Sequence, residues 1–119
     1  MKKYLIMSNK VKIAIDAMGG IGSPKKVIDA IDISVKTNDE NFFYLYGNKD
    51  LILKEISKKK FLLKYCEIIN TEDVVLDDDS ALAGAKKSKN TSMWKAVEST
   101  SLNNSDISLS AGNTGALLV

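Results

Sequence analysis

Four short strings in this chain hold the residues that could do chemistry. Ser110-Ala111-Gly112-Asn113-Thr114-Gly115 joins a short apolar run to Ala116-Leu117-Leu118-Val119. It reads as the tip of a strand, a small-residue turn and the first turn of a helix, where backbone N–H groups converge on an anion. Gly112 permits the tight turn, and Asn113 or Thr114 can cap the helix while the free N–H groups face outward. Without an anion the same string is plain capping between strand and helix. Asp16-Ala17-Met18-Gly19-Gly20 follows an earlier β-branched run. Glycines there let the backbone approach a ligand, and Asp16 can hydrogen-bond its own turn or a substrate. In Lys86-Lys87-Ser88-Lys89-Asn90-Thr91-Ser92-Met93, cations and hydroxyls precede a helix start. Such a string supplies charge to a phosphate or an acidic partner, or is a solvated loop ending in a cap. Asp77-Asp78-Asp79 reads as solvated, because three adjacent carboxylates cannot all aim at one cation.

Composition removes whole classes of chemistry. The 119 residues include 17 basic ones, every one of them Lys, and no His. There is therefore no His general base, no Ser-His-Asp or Cys-His pair and no Arg clamp on a phosphate. A zinc site would lack its commonest nitrogen ligand, and one Cys cannot replace it. Cys66 lies in an apolar run and reads as a core thiol; a lone Cys also forms no intrachain disulfide, which fits a reducing cytosol. With 45% hydrophobic residues the chain can bury a core, and its net charge of +2 steers it toward no nucleic acid. Met1 to Met7 is too short in apolar residues for a signal peptide, and no run approaches a membrane span. The expectation is a cytoplasmic protein with residues 1–10 as an extension and one α/β domain over residues 11–119.

The elements that must position these strings alternate. Val11 to Asp16 is a β-branched strand. Ser23 is expected to cap a helix with Pro24 at its first position, and Val27, Ile28, Ile31 and Val35 recur at helical spacing. Phe42 to Gly47 is a second strand. Asn48 caps a helix to about Lys59 with Leu51, Ile52 and Ile56 inward, and Lys58-Lys59-Lys60 reads as cations at its own C-terminus. Glu67 to Asn70 is a third strand, followed by an acidic connection and a short helix from Ser80 to about Lys86. Thr91 or Ser92 starts a helix carrying Met93, Ala96, Val97 and Thr100, with Trp94 partly packed, and Asn103-Asn104 ends it. Ile107 to Ser110 is a fourth strand. Strands alternating with helices predict a three-layer, mostly parallel sheet. Ligands of such sheets sit outside the carboxyl ends of the strands, where both glycine turns fall. The spacing Gly19-Gly20-x-Gly22 lacks the G-x-G-x-x-G fingerprint, and no P-loop occurs, so a nucleotide module is disfavoured.

Taken in order, Asp16-Ala-Met-Gly-Gly-x-x-x-Pro24, Tyr46-Gly47-Asn48, Lys86-Lys-Ser-Lys-Asn-Thr-Ser92-Met93 and Ser110-Ala-Gly-Asn-Thr-Gly-Ala116 resemble the phosphate acyltransferases of bacterial phospholipid synthesis. The resemblance runs from about Val11 to Val119 and covers only the N-terminal part of that family's fold. It implies a fold like the isocitrate and isopropylmalate dehydrogenases, incomplete in this chain. It implies transfer of a fatty acyl group from acyl carrier protein to inorganic phosphate, with no organic cofactor and no metal. It also implies a homodimer with peripheral membrane contact at full length, and no nucleic-acid partner.

On that resemblance Asn113, Thr114 and Lys87 are the expected catalytic residues. Asp16, Gly19, Gly20, Ser88, Ser92, Gly112 and Gly115 are the expected substrate-binding ones. Two positions depart from the family's pattern: Ile21 stands where the family usually carries Asp after the paired glycines, and Asn90-Thr91-Ser92-Met93 stands where it tends to have Asp, then Ser-Ser-Met. The alternative reading is a truncated, inactive relic of the enzyme, and the 119-residue chain alone is expected to be inactive.

Overall fold

Successive side chains of a strand point to opposite faces, and this alternation decides where every helix sits. The structure, a computed structural model, describes residues 10–72 and 91–110. Strand β1 (Val11–Asp16) sends Ile13 and Ile15 to one face of the sheet and Ala14 and Asp16 to the other. Strand β2 (Asn41–Gly47) divides likewise, with Phe43 and Leu45 on the first face and Tyr44 and Tyr46 on the second. Strand β3 (Cys66–Asn70) adds Cys66 and Ile68 to the first and Ile69 to the second. Strand β4 (Ile107–Leu109) is short and half exposed. The order is β3-β2-β1-β4 and every pairing is parallel.

The first face is covered by helices α1 (Lys25–Thr37) and α2 (Lys49–Ile56). Ile28, Ile31 and Val35 of α1, with Ile52 and Ile56 of α2, join the strand residues in one core. Helix α3 (Ser92–Ser101) covers the second face, with Ala96 packed on Ala14 and Tyr46. These three layers follow from chain direction. The crossovers β1 to β2 and β2 to β3 step one way along the sheet, and β3 to β4 steps back. Crossovers of one hand must then place α1 and α2 on one face and α3 on the other. Central strands β1 and β2, flanked by helices on both faces, are accordingly rich in Ile, Phe and Tyr.

Several local expectations are corrected. Pro24, not Ser23, occupies the N-cap of α1, and no side chain caps it. The Ser23 hydroxyl instead donates to the Gly19 carbonyl at 2.6 Å, inside a turn where Gly20 and Gly22 adopt positive φ. Helix α2 stops at Ile56, short of Lys59, and a 3-10 helix (Lys60–Lys64) follows that buries Leu62. Leu51 and Val97 are exposed, and so is Trp94, whose indole N–H donates to Glu98 at 3.3 Å. The inward face of α3 carries Ser92, Met93, Ala96 and Ser99. Lys59 does not serve its own helix end: its ammonium reaches α1, 2.7 Å from Asp32 and 3.1 Å from Asp29. The expected extension at residues 1–9, the acidic connection and short helix within residues 73–90, and the turn at 111–119 lie outside the described residues.

Candidate functional site

The site grows from the parity of β1. Asp16 shares a face with Ala14, the face that α3 covers, so its carboxylate meets the start of that helix. It is 3% exposed. Burying a carboxylate is costly unless donors surround it, and here four do. Oδ1 accepts from the amides of Met18 and Gly19, each at 3.1 Å. It also accepts a short hydrogen bond from the Ser92 hydroxyl. Oδ2 accepts from the Ser110 hydroxyl at 2.8 Å.

Each donor arrives for a local reason. The Met18 and Gly19 amides turn inward because the chain leaves β1 in an Asx-type turn around the Asp side chain. Ser92 is the first residue of α3, whose N-cap is Thr91; the Thr91 hydroxyl accepts from the Trp94 amide at 3.1 Å. That cap fixes the first turn and aims Ser92 inward, where it is 1% exposed. Ser110 follows from register. Ile15 stands opposite Leu109, so the next residue of each strand, Asp16 and Ser110, also face one another.

One carboxylate thus joins three segments far apart in sequence: the first glycine turn, the head of α3 and the end of β4. All three meet at the carboxyl ends of parallel strands. The β1–β4 boundary is also where the chain changes sheet face, the position at which open α/β sheets bind their ligands. Asp16, Gly19, Ser23 and Ser110 line one end of an open cavity of about 470 Å³ there.

Of the expected site residues, the structure brings Asp16, Gly19 and Ser92 together. Gly20 lies in the same turn with φ 84°, a conformation that favours glycine. Ile21, the departure from the family's pattern, is 83% exposed. Lys87, Ser88, Gly112, Asn113, Thr114 and Gly115 lie outside the described residues. Two participants were missed. The sequence places Ser110 only at a strand end and does not single out Lys26, which also lines the cavity. Strand parity carried forward by one residue would have found Ser110. Among the described residues no group of His, Cys, Asp and Glu could hold a metal ion, and no helix is long and apolar enough to cross a membrane.

The sequence profile of a family described as "Fatty acid synthesis protein" matches residues 11–119. The chain belongs to that family. Similar members named "Phosphate acyltransferase" occur in Pelagibacter ubique, 50% identical over 95% of this chain, and in Roseobacter denitrificans, 37% identical over 92% of it. Another, from Neorickettsia sennetsu, is 38% identical over 94% of it. The match covers 33%, 30% and 33% of those proteins, so the chain spans about a third of the family members it resembles.

Proposed function

We propose that this chain is the N-terminal part of a cytoplasmic enzyme that transfers a fatty acyl group from an acyl carrier protein thioester to inorganic phosphate. A phosphate oxygen attacks the thioester carbonyl carbon, the carbon–sulfur bond breaks, and the thiolate leaves and takes up a proton. The product is acyl phosphate, for phospholipid synthesis. The relatives' name, phosphate acyltransferase, supports the reaction class.

The observation that carries the reading is the buried Asp16 carboxylate tying the first glycine turn, Ser92 and Ser110 at the strand ends. The thioester is already activated and phosphate is itself the nucleophile, so the protein has two tasks: to hold phosphate near the carbonyl and to stabilise the oxyanion. Gly112, Asn113, Thr114 and Gly115, directly after Ser110, are assigned the phosphate and oxyanion loop. Lys87 and Ser88 are assigned an opposing wall, and Gly19 and Gly20 the facing turn. Asp16 and Ser92 act as positioning residues, since their polar atoms are engaged with each other and with the turn. At family length the protein is proposed to be a homodimer that touches the membrane peripherally, working without an organic cofactor.

The test is a chimera in which this chain replaces the corresponding third of the Pelagibacter ubique relative. With acyl carrier protein thioester and phosphate it is expected to form acyl phosphate at a rate near the parent's, and the chain alone is expected to form none. A folded chimera without activity would overturn the reading and point to a relic.

A further inference from the structure

The cavity that Asp16 and Ser110 border continues away from them as an apolar groove on the first face of the sheet. Its floor is Ile13, Ile15 and Leu109, and its wall is Val27, Ala30 and Ile31 of α1. Helix α1 runs back from the carboxyl ends of the strands, so its first turn stands at the polar end of the groove and Ser34 at the far end. Lys26 lies in that first turn and lines the cavity. Its neighbour Lys25 is paired with Asp29 at 2.6 Å, whereas Lys26 has no ion pair among the described residues. The groove therefore combines a long apolar floor with one uncompensated cation at the end where the carboxylate turn lies. That is complementary to an amphiphile with an anionic head.

Among the described residues β4 is the edge strand beyond β1. A crossover carrying the sheet outward from β4 would step in the direction β3 to β4 stepped, so the same handedness would run it over the α3 face. The groove's volume of about 470 Å³ lies within the roughly 300–1,000 Å³ of small-molecule sites, which are mostly apolar with a few placed polar groups.

We propose that the groove between α1 and the β1–β4 edge binds the fatty acyl chain, with Lys26 facing the anionic head beside Asp16 and Ser110. The identity of the acyl chain rests on the transfer reaction proposed above; the groove and its cation do not.

The probe is decyl phosphate, a stable amphiphile, titrated calorimetrically into the purified 119-residue chain, with decanol and inorganic phosphate as separate arms. One saturable site is expected for decyl phosphate. Ala30→Trp, at an exposed helix position overhanging the groove, is expected to weaken it by roughly tenfold or more through lost apolar contact. Lys26→Ala is expected to weaken decyl phosphate by roughly tenfold and leave decanol unchanged, because only the former offers a charged partner. Ser34→Leu shortens the far end and is expected to weaken decyl but not hexyl phosphate. Ile33→Lys, on the exposed side of α1, should change nothing.

Undiminished binding in folded Ala30→Trp would overturn the proposal. So would a chain that binds no amphiphile and instead self-associates through this face, with Ala30→Trp making it monomeric. A chimera that makes acyl phosphate with the same chain-length profile after Ala30→Trp would sink the groove and leave the reaction standing. A chimera that makes none while the chain still binds decyl phosphate would do the reverse.

Discussion

Ser110 and Asp16 are 94 residues apart in sequence, yet the serine hydroxyl donates to Oδ2 of the carboxylate at 2.8 Å. The contact is a consequence of register, because parallel pairing of Ile15 with Leu109 leaves the next residue of each strand opposed. The same carboxylate accepts from Met18, Gly19 and Ser92. Asp16 is therefore the joint at which β1, β4 and the head of α3 are held in one geometry, and the small-residue string after Ser110 departs from that joint.

Replacing Asp16 tests the joint. Asp16→Ala leaves two amides and two hydroxyls without their acceptor, all four donor groups coming from residues buried or half-buried. A loss of about 3 kcal/mol in unfolding free energy is expected, in the range for removing an acceptor from buried donors of charge-assisted bonds. Asp16→Asn keeps an acceptor for the amides, and its amide can donate to the Ser110 oxygen, so the loss should be about 1 kcal/mol. Urea unfolding gives both values. In the chimera the Ala variant should raise the KM for phosphate, with Asn intermediate. Equal stability of wild type and Asp16→Ala would show that Asp16 organises nothing.

Gly47 bears on the same turn from behind. A Cβ there would stand 2.7 Å from Met18 Cγ, 2.9 Å from its Sδ and 3.0 Å from Ile52 Cδ1. Ile52 is fully buried and Met18 is the residue whose amide donates to Asp16. Gly47→Ala is expected to cost about 1–3 kcal/mol, the usual price of overpacking. Met18→Ala should recover much of it in the double variant, because the thioether is the nearest obstacle. Additive losses in that double-mutant cycle would place the strain elsewhere.

How far the sequence foretells this arrangement depends on the range of the interaction involved. The four strands were legible because β-branched and aromatic runs bounded by turn residues carry the signal locally. The caps by Asn48 and Thr91 were legible for the same reason, since each side chain bonds an amide three residues ahead. What stayed hidden was tertiary. Lys59 leaves its own helix end because α1 presents Asp29 and Asp32 to it, and nothing near Lys59 in sequence announces that. Val27, Ile28, Ile31 and Val35 showed the α1 period, but not that Lys26 and Ala30 would flank a groove, since a groove depends on which strand ends the sheet. Asp16 was legible as a turn-forming carboxylate, whereas its bonds to Ser92 and Ser110 span 76 and 94 residues.

Acid stability should depend on the Lys59 cluster. Lys25 first and then Lys59 hold the Asp29 carboxyl below its ordinary 3.8. Lys59 first and then Lys36 do the same for Asp32. A carboxylate whose pKa is depressed by folding contributes stability above its unfolded value, and that contribution is lost as pH falls through the folded one. The chain should therefore lose stability below about pH 3.8. Lys59→Gln should lower the melting temperature at pH 7 and shallow this acid branch, because both carboxylates then titrate nearer their ordinary range. The effect shrinks in high salt, since Asp29 and Lys59 are solvent-facing. An unchanged acid branch in Lys59→Gln would show that the cluster is decorative.

The alkaline branch is governed by different groups, and Cys66 is the sharpest of them. The thiol is buried at the start of β3, against the α2 face of the sheet, and burial pushes it from 9.0 up to about 12. The folded chain keeps this proton across that interval and the unfolded chain releases it, so stability falls as pH rises from about 9 toward 12. Tyr44 works in the same direction: burial first, then the Glu67 charge, raise its phenol above 10.0. Lys59 joins them, since Asp32 and then Asp29 raise its ammonium above 10.5, and that contribution is lost as it deprotonates. Cys66→Ala should therefore flatten only the earliest part of the alkaline decline and leave the Tyr44 and Lys59 part in place. The thiol offers an independent readout, because the thiolate is the reactive form. At pH 8 a thiol pushed from 9.0 up to about 12 should alkylate roughly a thousandfold more slowly in the folded chain than in urea. Alkylation at the unfolded rate under native conditions would mean that β3 opens freely from the sheet, and the parallel core assigned to this chain would have to be redrawn at that strand.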